Sequence, residues 1–133
     1  DRFVASFVGD ANILAGRLVE RRGDVATVSI GEVHLDVPAA PLAQLTAGDA
    51  ADVFVRPEHL AMAPRGAPGS LPGTVATQVF QGDHVDLYID VPGVARGPVL
   101  LRSPGIIALS SCPVGAEIGL MIGSDDVVAF PPE

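Results

Sequence analysis

Three histidines, His34, His59 and His84, are the side chains with the widest chemical range in this chain. A metal centre needs two or three of them to converge with carboxylates beside them. Their placement argues otherwise. His34 falls in a short β-branched run, His59 follows Pro57-Glu58 in a turn, and His84 opens an alternating run. Solvated or locally bonded histidines are the simpler reading, and no metal is expected. Asp83, Asp86 and Asp90, interleaved with His84 and Tyr88, line up as an acidic strand face suited to a cation. On a strand, however, Asp86 and Asp90 lie about 13 Å apart, too far for one ion to bridge. A solvated outer face is therefore expected there. Ser110 or Ser111 with a histidine makes a hydrolase triad on paper, but no G-x-S-x-G turn exists to expose the nucleophile. The single cysteine, Cys112, excludes an internal disulfide and a multi-thiolate zinc site. No catalytic or cofactor-binding residue is expected.

Charge narrows the choice further. Sixteen Asp and Glu stand against eight Arg with no lysine at all, a net charge of -8. Without lysine there is no P-loop lysine, no Schiff base and no lysine general base. The acidity, together with one tyrosine and no tryptophan, argues against a nucleic-acid partner, which needs clustered cations and stacking platforms. At 48% apolar the chain is not disordered. It has no run of eighteen apolar residues to span a bilayer, and no basic segment leading into an apolar run as in a signal peptide. Its 133 residues amount to one domain. The opening Asp1-Arg2-Phe3 reads as a piece cut from something larger.

The elements that must position these residues are strands. Fifteen glycines and twelve prolines punctuate short β-branched runs, the pattern of an all-β barrel or sandwich. Strands are predicted at Ile13–Glu20, Val25–Ile30, Val33–Val37, Asp52–Arg56, Gly73–Phe80, Val85–Val91, Val99–Arg102, Glu117–Ile122 and Val127–Phe130. In the clearest, Val85, Leu87, Ile89 and Val91 alternate with His84, Asp86, Tyr88 and Asp90, which marks one buried face. Gly31-Glu32 reads as a tight hairpin, and Gly82-Asp83 as a turn that permits positive φ. Helix is confined to a short amphipathic stretch at Arg2–Val8, a turn at Leu42–Leu45 and a single 3₁₀ turn at Pro57–Leu60. Arg65–Leu71 is a linker by composition.

The chain also repeats itself. Gly48–Pro64 set over Gly115–Pro131 without a gap matches glycine to glycine and proline to proline, and places Val53-Phe54-Val55 over Leu120-Met121-Ile122. Upstream, Gly16-Arg17-Leu18 leads to Gly23-Asp24 as Gly73-Thr74-Val75 leads to Gly82-Asp83. Two halves, 13–64 and 73–131, of about five strands each follow. Each is small for independent stability, so the halves are expected to share one core or pack tightly. In the turn Arg56-Pro57-Glu58, repeated as Gly123-Ser124-Asp125, Glu58 is expected to accept backbone N–H groups and cap the turn. Arg56, which breaks the repeat, is the residue expected to meet a partner.

These motifs resemble a known family. Phe3 to Gly9 with Asn12 resembles the point where the ATPase domain of an ABC importer passes into its C-terminal regulatory domain, which puts 1–12 with the ATPase domain and linker and 13–133 with the regulatory domain. Val53 to Leu60, with Arg56, Pro57 and Glu58, resembles the close of that domain's first half. Gly73-Thr74-Val75 with Phe80-Gln81-Gly82-Asp83 resembles the opening of its second. The resemblance implies a TOBE-type, OB-like β-barrel domain of the sugar, polyamine or ferric-iron importer ATPases. It would lie on the cytoplasmic side and hold two ATPase subunits together as a homodimer, beside the nucleotide-binding domain and the membrane permease subunits. ATP and Mg²⁺ would belong to the ATPase domain outside this segment, which would catalyse nothing itself. Asn12, Leu14 and Gly16 also resemble the opening of molybdate-binding OB-like domains, which implies an alternative as a free-standing oxyanion binder.

Overall fold

The structure, a computed structural model, describes residues 11–95, 97–104, 113–123 and 127–132. Ten strands make up the described chain: β1 (Asn12–Arg22), β2 (Val25–Ile30), β3 (Val33–Pro38), β4 (Ala50–Val55), β5 (Leu60–Ala63), β6 (Leu71–Phe80), β7 (His84–Asp90), β8 (Val99–Pro104), β9 (Glu117–Ile122) and β10 (Val128–Phe130). Two 3₁₀ turns, Ala40–Leu42 and Pro57–His59, interrupt them. The turn predicted at Leu42–Leu45 is present, closed by Leu45 N–H donating to Leu42 O at 3.0 Å, and it directly follows a 3₁₀ turn that Pro41 presets. The stretch predicted as a helix at Arg2–Val8 lies outside the described residues, as do Ser110, Ser111 and Cys112.

The strands form two five-stranded antiparallel sheets, ordered β10-β4-β1-β2-β3 and β5-β9-β6-β7-β8. Each sheet curls until its two end strands meet, β10 against β3 and β5 against β8. Each is thereby a small barrel, here called A and B. The two halves of the sequence do not each build one barrel. The fifth strand of the first half, β5, pairs with β9, Leu60 facing Ile122. The fifth strand of the second half, β10, returns to pair with β4, Val128 facing Phe54. The halves thus exchange closing strands, and one buried cluster runs through both, from Leu14, Val28 and Val53 to Leu87, Ile89 and Leu120.

The repeat seen in the sequence is kept in backbone detail. Register shifts fall between Leu18 and Glu20 on β1 and between Val75 and Thr77 on β6. Beside each bulge the loop entering the next strand exchanges two hydrogen bonds with it. Leu18 N–H donates to Asp49 O (2.9 Å) and Gly48 N–H to Leu18 O (2.8 Å); Val75 N–H donates to Ala116 O (2.9 Å) and Gly115 N–H to Val75 O (2.7 Å). Just before each bulge a glycine meets its neighbour strand closely. A Cβ on Gly16 would lie 2.8 Å from Ser29 O, and one on Gly73 would lie 2.7 Å from Ile89 Cγ2. A bulge tightens local twist, and a sheet this narrow must twist strongly to close.

Candidate functional site

The residues singled out in the sequence fall into three places. The first is the crossover at the Arg56-Pro57-Glu58 turn. Val55 ends β4 in barrel A and Leu60 begins β5 in barrel B, so this turn carries the chain from one barrel to the other. Pro57 is buried and starts the 3₁₀ turn, which closes through His59 N–H donating to Arg56 O at 2.9 Å. The two crossovers touch: Gly123, just after β9, donates its N–H to His59 O at 2.9 Å. Glu58 does not cap. Its side chain is exposed, no side chain caps the turn, and Glu58 makes no hydrogen bond among the described residues. The residue at the capping position is Arg56, whose guanidinium has no acceptor to offer, while Glu58 lies within the turn. Arg56 is half-buried, and among the described residues it is the arginine whose side chain makes no hydrogen bond or ion pair. His59 Nδ1 is buried without a partner.

The second place is Asn12. Its side-chain amide faces the backbone of Leu100 on β8, the outermost strand of its sheet. Asn12 Nδ2 donates to Leu100 O at 2.8 Å, and Leu100 N–H donates to Asn12 Oδ1 at 2.8 Å. The amide thus imitates one residue of a neighbouring strand and satisfies an edge that would otherwise be open. Close by, Ala15 N–H donates to Val94 O at 2.8 Å, so the start of β1 lies against the β7–β8 connection. Asn12 therefore joins barrel A to barrel B.

The third place is the Phe80-Gln81-Gly82-Asp83 turn between β6 and β7. Gly82 has φ of 99° as the turn reading requires, and Gln81 N–H donates to His84 O at 2.9 Å. The acidic face beyond it is not solvated throughout. Asp86 is 5% exposed and pairs with Arg102 on the neighbouring strand, Nε donating to Oδ1 at 2.9 Å. His84 stands between Asp83 (Nδ1 to Oδ1, 2.7 Å) and Asp86 (Nε2 to Oδ1, 3.5 Å). Burial of Asp86 is tolerated because a cross-strand cation lies opposite it. Phe80, at 52% exposure, and Val79 leave an apolar end on this hairpin. Alternation along β7 correctly located the buried valine and leucine face; nothing in that period marks the polar face as covered.

Among the described residues no group of three His, Cys, Asp or Glu side chains is placed to hold a metal ion. No helix among them is long and apolar enough to cross a membrane. The three places share a structural theme: they govern how the two barrels cross, join and end.

A family model described as the TOBE domain matches residues 53–130. Among curated proteins, the spermidine/putrescine import ATP-binding protein PotA of Borreliella afzelii is 25% identical over 126 residues, covering 95% of this chain and 32% of its own length. PotA 1 of Pseudomonas aeruginosa is 35% identical over 105 residues, covering 78% of this chain and 27% of its own length. The Fe(3+) ions import ATP-binding protein FbpC of Brucella abortus is 27% identical over 104 residues, with the same coverage of 78% and 27%. The chain thus spans about a third or less of the length of the curated relatives it matches. Among solved structures, the cytoplasmic molybdate-binding protein ModG with molybdate bound superposes with a TM-score of 0.70 at 19% identity, over 91% of this chain and 96% of that one. The likeness is one of fold and agrees with the all-β, OB-like architecture expected from the sequence. With the family model matched over more than half of its residues, the chain belongs to the TOBE-domain family.

Proposed function

We propose that this chain is the regulatory and dimerisation domain of the ATP-binding subunit of an ABC importer, with polyamine as the first cargo and ferric iron or sugar next. The observation that carries the reading is similarity over 95% of the chain to about a third of an import ATP-binding protein. A domain of this kind works as a tether. It holds two ATPase subunits near each other when their nucleotide sites separate, which raises their effective concentration. It also biases the open and closed states if an effector prefers one of them. In this reading the domain lies on the cytoplasmic face, pairs with a second copy, and contacts the nucleotide-binding domain and permease subunits. ATP and Mg²⁺ bind the ATPase domain. A chain without lysine supplies no phosphate-binding P-loop of its own.

The test is the coding sequence ahead of Asp1. A P-loop and an ABC signature in frame upstream support the reading, and a start codon adjacent to Asp1 overturns it. A second reading, a free-standing oxyanion binder, is favoured by the superposition on nearly the whole of ModG. Its readout is thermal melting in molybdate. A binder gains RT ln(1 + [L]/Kd) of stability, whereas the tether melts at the same temperature with and without the oxyanion.

A further inference from the structure

We infer that each half of this chain is an unfinished barrel whose binding partner is the other half, so that the two associate without the covalent link between them. The first half supplies β1 to β4 of barrel A and lacks the strand that runs beside Asp52–Phe54. The second half supplies β6 to β9 of barrel B and lacks the strand beside Gly119–Ile122. Each half carries what the other lacks. The missing positions are specific in shape and chemistry. Ala129 of β10 has no exposed surface, and Phe130 stands edge-on to Phe54 with ring centroids 5.6 Å apart. In the other direction, Leu60 of β5 is 5% exposed in barrel B. Further bonds between the halves come from Asn12 on Leu100, Ala15 on Val94 and Gly123 on His59.

The link itself is slight. Pro64 to Ser70 forms two turns closed by Ala67 N–H on Pro64 O (3.0 Å) and Ser70 N–H on Ala67 O (3.1 Å), and Arg65, Gly66, Pro68 and Gly69 are exposed. It contributes no strand to either barrel. A half on its own therefore leaves an open β4 or β9 edge and an uncovered core, whereas two halves leave neither. Arg65 pairs with Glu117 on β9, and Pro64 and Ser70 lie against Gly119, contacts that a cut between Gly66 and Ala67 leaves in place; the covalent link itself acts as a high effective concentration.

The experiment cuts the folded, intact chain. A protease site is inserted between Gly66 and Ala67, and the purified protein is cleaved there to completion. The nicked protein is expected to run at the mass of the intact chain at micromolar concentration and to unfold in one transition. Its melting temperature should rise more steeply with protein concentration than that of the uncut protein, in which the two halves stay joined at any dilution. The fragments, separated in denaturant and remixed, are expected to regain that transition. Separation of the nicked halves without denaturant overturns the inference. So does a cooperative transition from either isolated fragment, or failure of the remixed fragments to recover.

Discussion

Replacing Asn12 gives the sharpest single-residue test of how the barrels are joined. Its amide makes two 2.8 Å hydrogen bonds to the backbone of Leu100, and the residue is 9% exposed. Asn12→Ala removes both bonds and leaves the Leu100 N–H and C=O on a half-buried strand edge without that partner. At about 1 kcal/mol for each bond, plus part of the cost of an unsatisfied backbone group, the loss is about 2–3 kcal/mol. For a domain of this size that lowers Tm by roughly 10 °C. Asn12→Asp separates hydrogen bonding from mere shape. One carboxylate oxygen still accepts from Leu100 N–H, but the other now faces Leu100 O where a donor stood, and a charge sits in a nearly closed position. Asp should therefore be at least as destabilising as Ala despite being nearly isosteric with Asn. The assay is urea unfolding of the three proteins, with amide exchange at Leu100 reporting the local opening. A loss under about 0.5 kcal/mol for Asn12→Ala, or an Asp variant more stable than the Ala variant, refutes the reasoning.

Other substitutions test the rest of the architecture. Gly16→Ala and Gly73→Ala should each cost about 1–3 kcal/mol in denaturant titrations. Gly16→Ala should cost more, because its new methyl meets backbone at Ser29 O, whereas the nearest atom at Gly73 is a side-chain methyl of Ile89. Arg102→Ala should destabilise by about 2–4 kcal/mol and Asp86→Ala by less. The Asp86 side chain is only 7% exposed and loses its cation in the first case, whereas Arg102 at 32% reaches water in the second. Equal losses in urea unfolding would contradict that asymmetry. Arg56→Ala should leave Tm unchanged within error, about 0.5 kcal/mol or less, since the side chain holds nothing among the described residues. Pro57→Ala, at the buried start of the same turn, should lower it measurably.

Strand bounds are legible in the sequence where two-residue turns fix both ends. Val25–Ile30 lies between Gly23-Asp24 and Gly31-Glu32 and has the predicted bounds, as does Glu117–Ile122. The strand Leu60–Ala63 leaves no signal in the sequence, because its four residues, Leu-Ala-Met-Ala, are all apolar and carry no alternation. The exchange of closing strands was illegible for a deeper reason. A repeat shows that two segments are equivalent, and equivalent strands fit either barrel; the choice is made by where the crossover turn points. The Asn12 bond to Leu100 spans 88 positions and Asp86 to Arg102 spans 16, so neither contact leaves a periodic trace. Glu58 has the residue type of a cap, but it stands inside the turn, after Pro57, and not at the position before it, which Arg56 holds.

The order β10-β4-β1 has a mechanical consequence. The first and last described strands are both hydrogen-bonded to β4 and run parallel to each other, with Asn12 opposite Val55 and Phe130 opposite Asp52. Tension applied by neighbours at the two ends would pull β1 and β10 in opposite directions along their axes. The ladders on β4 are then loaded in shear, with several bonds resisting at once, instead of opening one by one like a zip. Barrel B, inserted between Val55 and Val127, meets that line of force at the start of β1, where the bonds of Asn12 to Leu100 and of Ala15 to Val94 would share the load with the ladders on β4.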